Sequence, residues 1–134
     1  MLPEIEIKRP NNILEVGDFV DFCADKGYHN TFAPGSLDEG TWYLIAVKGK
    51  EIVGGVGCII YHPDSIAELD TLVVDKSIQG QGLEDALLGM LLSDLKQISI
   101  GAVRVIPNQD EESFYSQHGF LPDQIDESYM IYKN

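Results

Sequence analysis

The sequence predicts an α+β fold: a mixed β-sheet with helices on its faces. Three observations lead there. Several short segments alternate apolar and polar residues with period two, the spacing of strands. Two longer segments, 12–27 and 83–97, repeat apolar residues at helical spacing. The resulting order is strand, helix, several strands, helix, strand, helix, strand, with both kinds of element interleaved along one chain. No internal repeat, low-complexity tract or linker breaks the 134 residues, so 1–134 reads as a single domain, long enough for one core.

"EIEIK" (4–8) alternates as a short strand. "NNILEVGDFVDFCADKG" follows as a helix, with Asn12 as cap, Glu15 completing a capping box and Gly27 ending it. Its buried stripe is Ile13, Val16, Phe19 or Val20, and Cys23. Residues 28–41 form a loop with room for a helical turn. "WYLIAV" and "IVGGVGCIIY" flank "KGKE" as a hairpin, and "IAELDTLVV" is the next strand. Gly54, Gly55 and Gly57 within one strand mark a bulge or the close approach of another backbone. Residues 83–97 form a helix on Leu83, Ala86, Leu87, Met90, Leu91 and Leu95. "AVRVI" (102–106) is a strand, "DEESFYSQH" a short helix closed by Gly119, and "YMIYK" a final strand.

The formal net charge of −13 argues against a nucleic-acid partner, whose phosphates need clustered cations. Only Lys76 stands between Lys50 and Lys96. Such a surface suits a cationic substrate, or serves solubility alone. The longest apolar run, "ALLGMLL", is too short to cross a bilayer, and "MLPEIEIKRP" lacks the order of a secretory signal. Cys23 and Cys58 sit in apolar surroundings and read as buried, reduced thiols of a cytoplasmic protein. His29, His62 and His118 show no metal-ligand spacing, so no metal is expected. His118 reads as a surface histidine. Trp42 either packs in the core or lines an acceptor cleft.

The chemistry lies in "VVDKSIQGQGLEDALLGMLL" (73–92). Gly80 and Gly82 let the backbone turn with no side chain in the way of a ligand. The helix that follows opens with unpaired N–H groups and positive dipole potential, which together suit a diphosphate. Glu84 and Asp85 place two negative charges at that same seat.

"LDTLVVDKSIQGQGLEDALLGMLL" resembles the signature of the GNAT superfamily of acyl-CoA-dependent N-acyltransferases. In that pattern an apolar strand and four linking residues precede Gln/Arg-x-x-Gly-x-Gly/Ala, here Gln79, Gly82 and Glu84. A second match is "NQDEESFYSQHGF", where Asn108 precedes Tyr115 by seven residues and Gly119–Phe120 follow. The hairpin of residues 43–61 is also similar to the family's central strands.

The resemblance implies the GNAT fold, in which two neighbouring parallel strands, here 66–74 and 102–106, splay to admit a pantetheine arm. It implies an N-acetyltransferase moving an acetyl group from acetyl-CoA to a primary amine of a small molecule or protein by direct attack. Backbone groups of Leu72, Val73 and Val74 would hold the pantetheine. One of their N–H groups would polarise the thioester carbonyl. The N–H groups of Gln79, Gly80, Gln81, Gly82, Leu83 and Glu84 would take the diphosphate. Asn108 would contact the cofactor arm, and Tyr115 would protonate the departing thiolate. Glu68 is the first choice of general base and Asp70, on the same strand face by alternation, the second. The loop with Tyr28, Phe32 and Pro34 would shape the acceptor pocket. Many relatives pair as dimers, which makes a homodimer possible. Glu84 departs from the family's small residue, Glu111 replaces a common alanine, and cations for the ribose phosphate are few, Lys76 being the only obvious one. Those departures keep open a catalytically degenerate GNAT-fold module with weak or no CoA binding.

Overall fold

The computed structural model describes residues 4–27 and 40–134. Among them seven strands form one sheet, in the order β1-β2-β3-β4-β5-β7-β6. β1 (Ile5–Lys8), β2 (Thr41–Lys48), β3 (Glu51–Tyr61) and β4 (Ile66–Val74) run antiparallel to one another. β5 (Ala102–Val105) lies parallel to β4, and β7 (Met130–Lys133) pairs antiparallel with β5. The two-residue β6 (Leu121–Pro122), too short to carry a periodicity, completes the edge.

Helix α1 (Ile13–Asp25) starts where Asn12 accepts the Glu15 N–H at 3.0 Å. The Glu15 carboxylate reaches back one residue further than expected, to the Asn11 N–H at 2.6 Å, and also pairs with Lys8 at 3.1 Å. Val16, Phe19 and Cys23 are buried against Tyr43, Ile45 and Val73. Ile13, expected in that stripe, is 58% exposed.

Helix α2 (Leu83–Gln97) covers the other face. Its buried row is Leu83, Leu87, Leu88, Leu91, Leu92 and Leu95, each worth about 1.5–3 kcal/mol of burial. Met90, predicted inside, is 41% exposed. The leucines at 88 and 92 claim the sheet side and rotate the helix away from it. Helix α3 (Glu112–Gln117), preceded by a 3-10 turn at Gln109–Glu111, adds Tyr115 to the same core.

The glycines of β3 meet a close-packed ring and backbone on one side and face a bulge in the neighbouring strand on the other. A Cβ on Gly55 would lie 2.4 Å from Phe19 Cε1 and 2.9 Å from the Leu44 carbonyl oxygen, so α1 needs a bare backbone there. Beside Gly57 the β3–β4 register slips, pairing Gly57 with Thr71 and Cys58 with Leu69 and leaving Asp70 as the extra residue of a bulge.

The feature that makes a site is the parting of β4 and β5. They pair only at Ile66–Ala102, Ala67–Val103 and Glu68–Arg104. From Leu69 to Val74 no strand among the described residues continues the sheet on that side of β4.

Candidate active site

The gap left by the parted strands is floored by β4, with the start of α2 on one side and α3 on the other. A hollow of ≈ 450 Å³ is bordered by Leu72, Val73, Val74, Gln79, Gly80, Gly82 and Glu84, with Tyr115 across from them. A smaller hollow of ≈ 160 Å³ holds Asp70, Thr71, Asn108 and Tyr115. Leu72, Glu111 and Tyr115 belong to both hollows, so the two adjoin.

Most of the residues singled out in the sequence therefore meet at one cleft. Gln81 stays exposed on the turn and Leu83 is buried in the core, so each has only its backbone to offer. Gly80 and Gly82 have φ of 78° and 92°, which a side chain resists, and nothing lies within 4 Å of a Cβ built on either. Gly82 caps α2 without a side chain, leaving the first-turn N–H groups to a ligand. Gln79 Nε2 donates to the Val74 carbonyl at 3.2 Å and so ties the turn to the end of β4.

Tyr115 is 3% exposed. Its ring is held edge-on by Phe114 at 5.2 Å and Phe120 at 5.3 Å. Glu111, a departure from the family pattern, serves the local structure. Its carboxylate accepts the Asn108 N–H at 2.9 Å and starts the short helix.

Glu68 lies outside both hollows. Its Oε1 accepts from Arg104 Nε at 2.8 Å, at the last rung before the strands part. The Arg104 guanidinium lies over Tyr129 at 4.9 Å and Tyr61 at 5.6 Å, and the Glu68 charge pushes the Tyr129 phenol above its usual range. Asp70, turned by the bulge, lines the smaller hollow beside Asn108 and Tyr115.

The electrostatics are unusual for an anion site. Glu84, Asp85, Asp110 and Glu111 all border the larger hollow, and among the described residues no lysine or arginine does. Asp85 is tied to His118, with Oδ1 2.8 Å from Nε2. That contact, together with the Phe114 ring at 4.9 Å, half-buries a histidine expected at the surface. Sequence reasoning missed this pair because its members are 33 residues apart and meet only when α3 packs beside α2.

Other expectations resolve simply. Cys23 and Cys58 are buried and stand outside any disulfide. Burial chiefly pushes the Cys58 thiol up to about 12, so it stays protonated and is no nucleophile. Trp42 is partly buried against the core, its Nε1 donating to Asp94 at 3.2 Å, away from the cleft. Among the described residues no three His, Cys, Asp or Glu side chains are grouped to hold a metal, and no helix is long and apolar enough to cross a membrane. The acceptor loop with Tyr28, Phe32 and Pro34, and His29 with it, lies outside the described residues.

Comparison with known proteins matches this arrangement. The family model described as the acetyltransferase (GNAT) family matches residues 12–120. Among solved structures, a GNAT-family acetyltransferase from Staphylococcus aureus Mu50 superposes with a TM-score of 0.71 at 18% identity, over 96% of this chain and 98% of that one. The PaiA N-acetyltransferase of Thermoplasma acidophilum, solved with coenzyme A, gives 0.68 at 18% identity, over 97% and 99%. The ribosomal-protein-S18-alanine N-acetyltransferase of Escherichia coli gives 0.69 at 16% identity, over 95% and 90%. A comparison with curated protein sequences finds no match.

Proposed function

The chain belongs to the acetyltransferase (GNAT) family and is an acyltransferase, and from that premise we propose that it carries an acetyl group from acetyl-CoA to a primary amine. The observation that carries this reading is the break in strand pairing after Glu68, which opens the edge of β4 at Leu72, Val73 and Val74 beside Tyr115. Those three residues supply main-chain groups to the pantetheine arm, as a strand would. The turn from Gln79 to Glu84 and the opening of α2 supply N–H groups to the diphosphate. Asn108 borders the same channel from the α3 side.

In the reaction a neutral amine attacks the thioester carbonyl, forming the C–N bond while the C–S bond breaks. A main-chain N–H of the open β4 edge stabilises the negative charge growing on the carbonyl oxygen. Tyr115 donates its phenolic proton to the departing thiolate, and the surplus proton left on the nitrogen once the C–N bond has formed passes through solvent and restores the phenol. A carboxylate takes the ammonium proton beforehand. Glu68 remains a candidate for that role, but it lies outside both hollows, whereas Asp70 lines the smaller one beside Tyr115. We therefore favour Asp70. The acceptor is a small-molecule or protein amine, and the acidic surface favours one with further positive charge.

A thiol-release assay with acetyl-CoA and a panel of amines tests the reading. Amine-dependent release that Asp70→Asn suppresses more than Glu68→Gln supports it and the choice of base. The reverse order returns the role to Glu68.

A second reading has its own support. Among the described residues four carboxylates and no cation border the seat for the diphosphate, as befits a GNAT-fold module that has lost catalysis and binds CoA weakly or not at all. Thermal titration separates the two. A midpoint raised by acetyl-CoA favours the enzyme. No response, recovered in Glu84→Gly, marks a disabled seat.

A further inference from the structure

Another hollow, ≈ 350 Å³, shares Val73, Val74 and Gln79 with the larger one, and its remaining walls are Asp25, Lys26 and Lys76. Its charge contrasts with the acid-lined side. Lys26 follows α1 as its cap, and its Nζ sits 2.6 Å from Asp75 Oδ1 and 5.4 Å from the Phe22 ring centre. Asp75 also accepts the Ser77 N–H at 3.2 Å, capping the 3-10 turn Lys76–Ile78. One carboxylate thus anchors one lysine and starts the turn that carries the other. Lys76 itself is exposed and has no ion-pair partner among the described residues.

We propose that Lys26 and Lys76 seat the ribose 3′-phosphate of CoA, so that the nucleotide end turns across Val73, Val74 and Gln79. The inference rests on the acetyl-CoA reading and adds to it a direction and a partner for Lys76, namely Lys26, which lies outside the recognised motifs. A phosphate at the edge of the cleft meets carboxylates toward Glu84, Asp110 and Glu111. Toward Lys26 and Lys76 it meets two ammonium groups. Among the described residues Asp25 is the one opposing charge lining that hollow. Lysines suit the place, since each offers a compact point charge that needs no fixed plane of approach.

The test is calorimetric titration of the whole chain with CoA and with 3′-dephospho-CoA. The native chain is expected to bind CoA about tenfold more tightly, the scale of one charge-assisted contact. Lys76→Ala, which breaks no ion pair seen among the described residues, lowers that preference. Lys26→Ala with Lys76→Ala abolishes it by weakening CoA while leaving dephospho-CoA as before. Equal affinities in the native chain, or a preference that survives the double substitution, overturn the assignment and leave the acetyl-CoA reading standing. Failure of both ligands to bind overturns both.

Discussion

Glu84→Gln should pull stability and cofactor affinity in opposite directions. Glu84 is the second residue of α2 and borders the hollow assigned to the diphosphate. Glutamine keeps the size and removes the charge. For the unliganded protein the change forfeits the favourable meeting of an acid with the helix dipole, about 0.3–1 kcal/mol. In a chain of this length that is a fall of roughly 1–5 °C in midpoint. For the complex the balance reverses. At about 5 Å and an effective dielectric near 20, one carboxylate and one phosphate charge repel by roughly 3 kcal/mol. A Debye length of about 8 Å at physiological salt removes close to half of this, leaving roughly 1.5 kcal/mol, or about tenfold in affinity. Thermal denaturation without ligand and calorimetric titration with CoA measure the two effects separately. The affinity gap should narrow in 1 M salt, where screening shortens to about 3 Å. A variant that binds CoA no better than the native chain at low salt would refute the placement of Glu84 against the diphosphate.

Tyr115→Phe should lower the turnover of acetyl transfer by roughly 10²-fold or more while changing CoA affinity little; equal losses in both would remove Tyr115 from the acid role. Gly55→Ala forces Phe19 and the Leu44 carbonyl aside, a cost of about 1–3 kcal/mol that urea denaturation would register as a lower midpoint with unchanged slope. In acid, the hydrogen bond from Lys26, then those from Ser77, hold the Asp75 carboxyl at about 2 against an ordinary 3.8. Its stabilisation is therefore complete above about pH 4 and fades as pH falls toward 2. Asp75→Asn should flatten that part of the acid-unfolding curve, and an unchanged curve would show that the Lys26 contact carries no stability.

Much of this layout was legible in the residues. The leucine spacing marked both ends of α2, and the paired motifs named the strands that part. What local patterning could not decide was which of two overlapping apolar rows faces inward. Met90 and Ala86 satisfy helical spacing as well as Leu88 and Leu92 do, and only the sheet beneath chooses. Contacts across long separations were likewise out of reach. Arg104 meets Glu68 because parallel register sets them side by side, and Lys26 meets Asp75 from 49 residues away. The bulge at Asp70 was hinted at by the facing glycines, yet which strand would carry the extra residue depended on pairing.

The sheet is in effect two wings. β1 to β4 form one and β5, β7 and β6 the other, and three rungs, from Ile66–Ala102 to Glu68–Arg104, stitch them together. A guest lying along the outer half of β4 supplies the rungs the polypeptide omits, so occupancy should stiffen the far wing as well as the cleft. Amide exchange along β5 and β7 would then slow on loading, although neither strand lends a side chain to the phosphates.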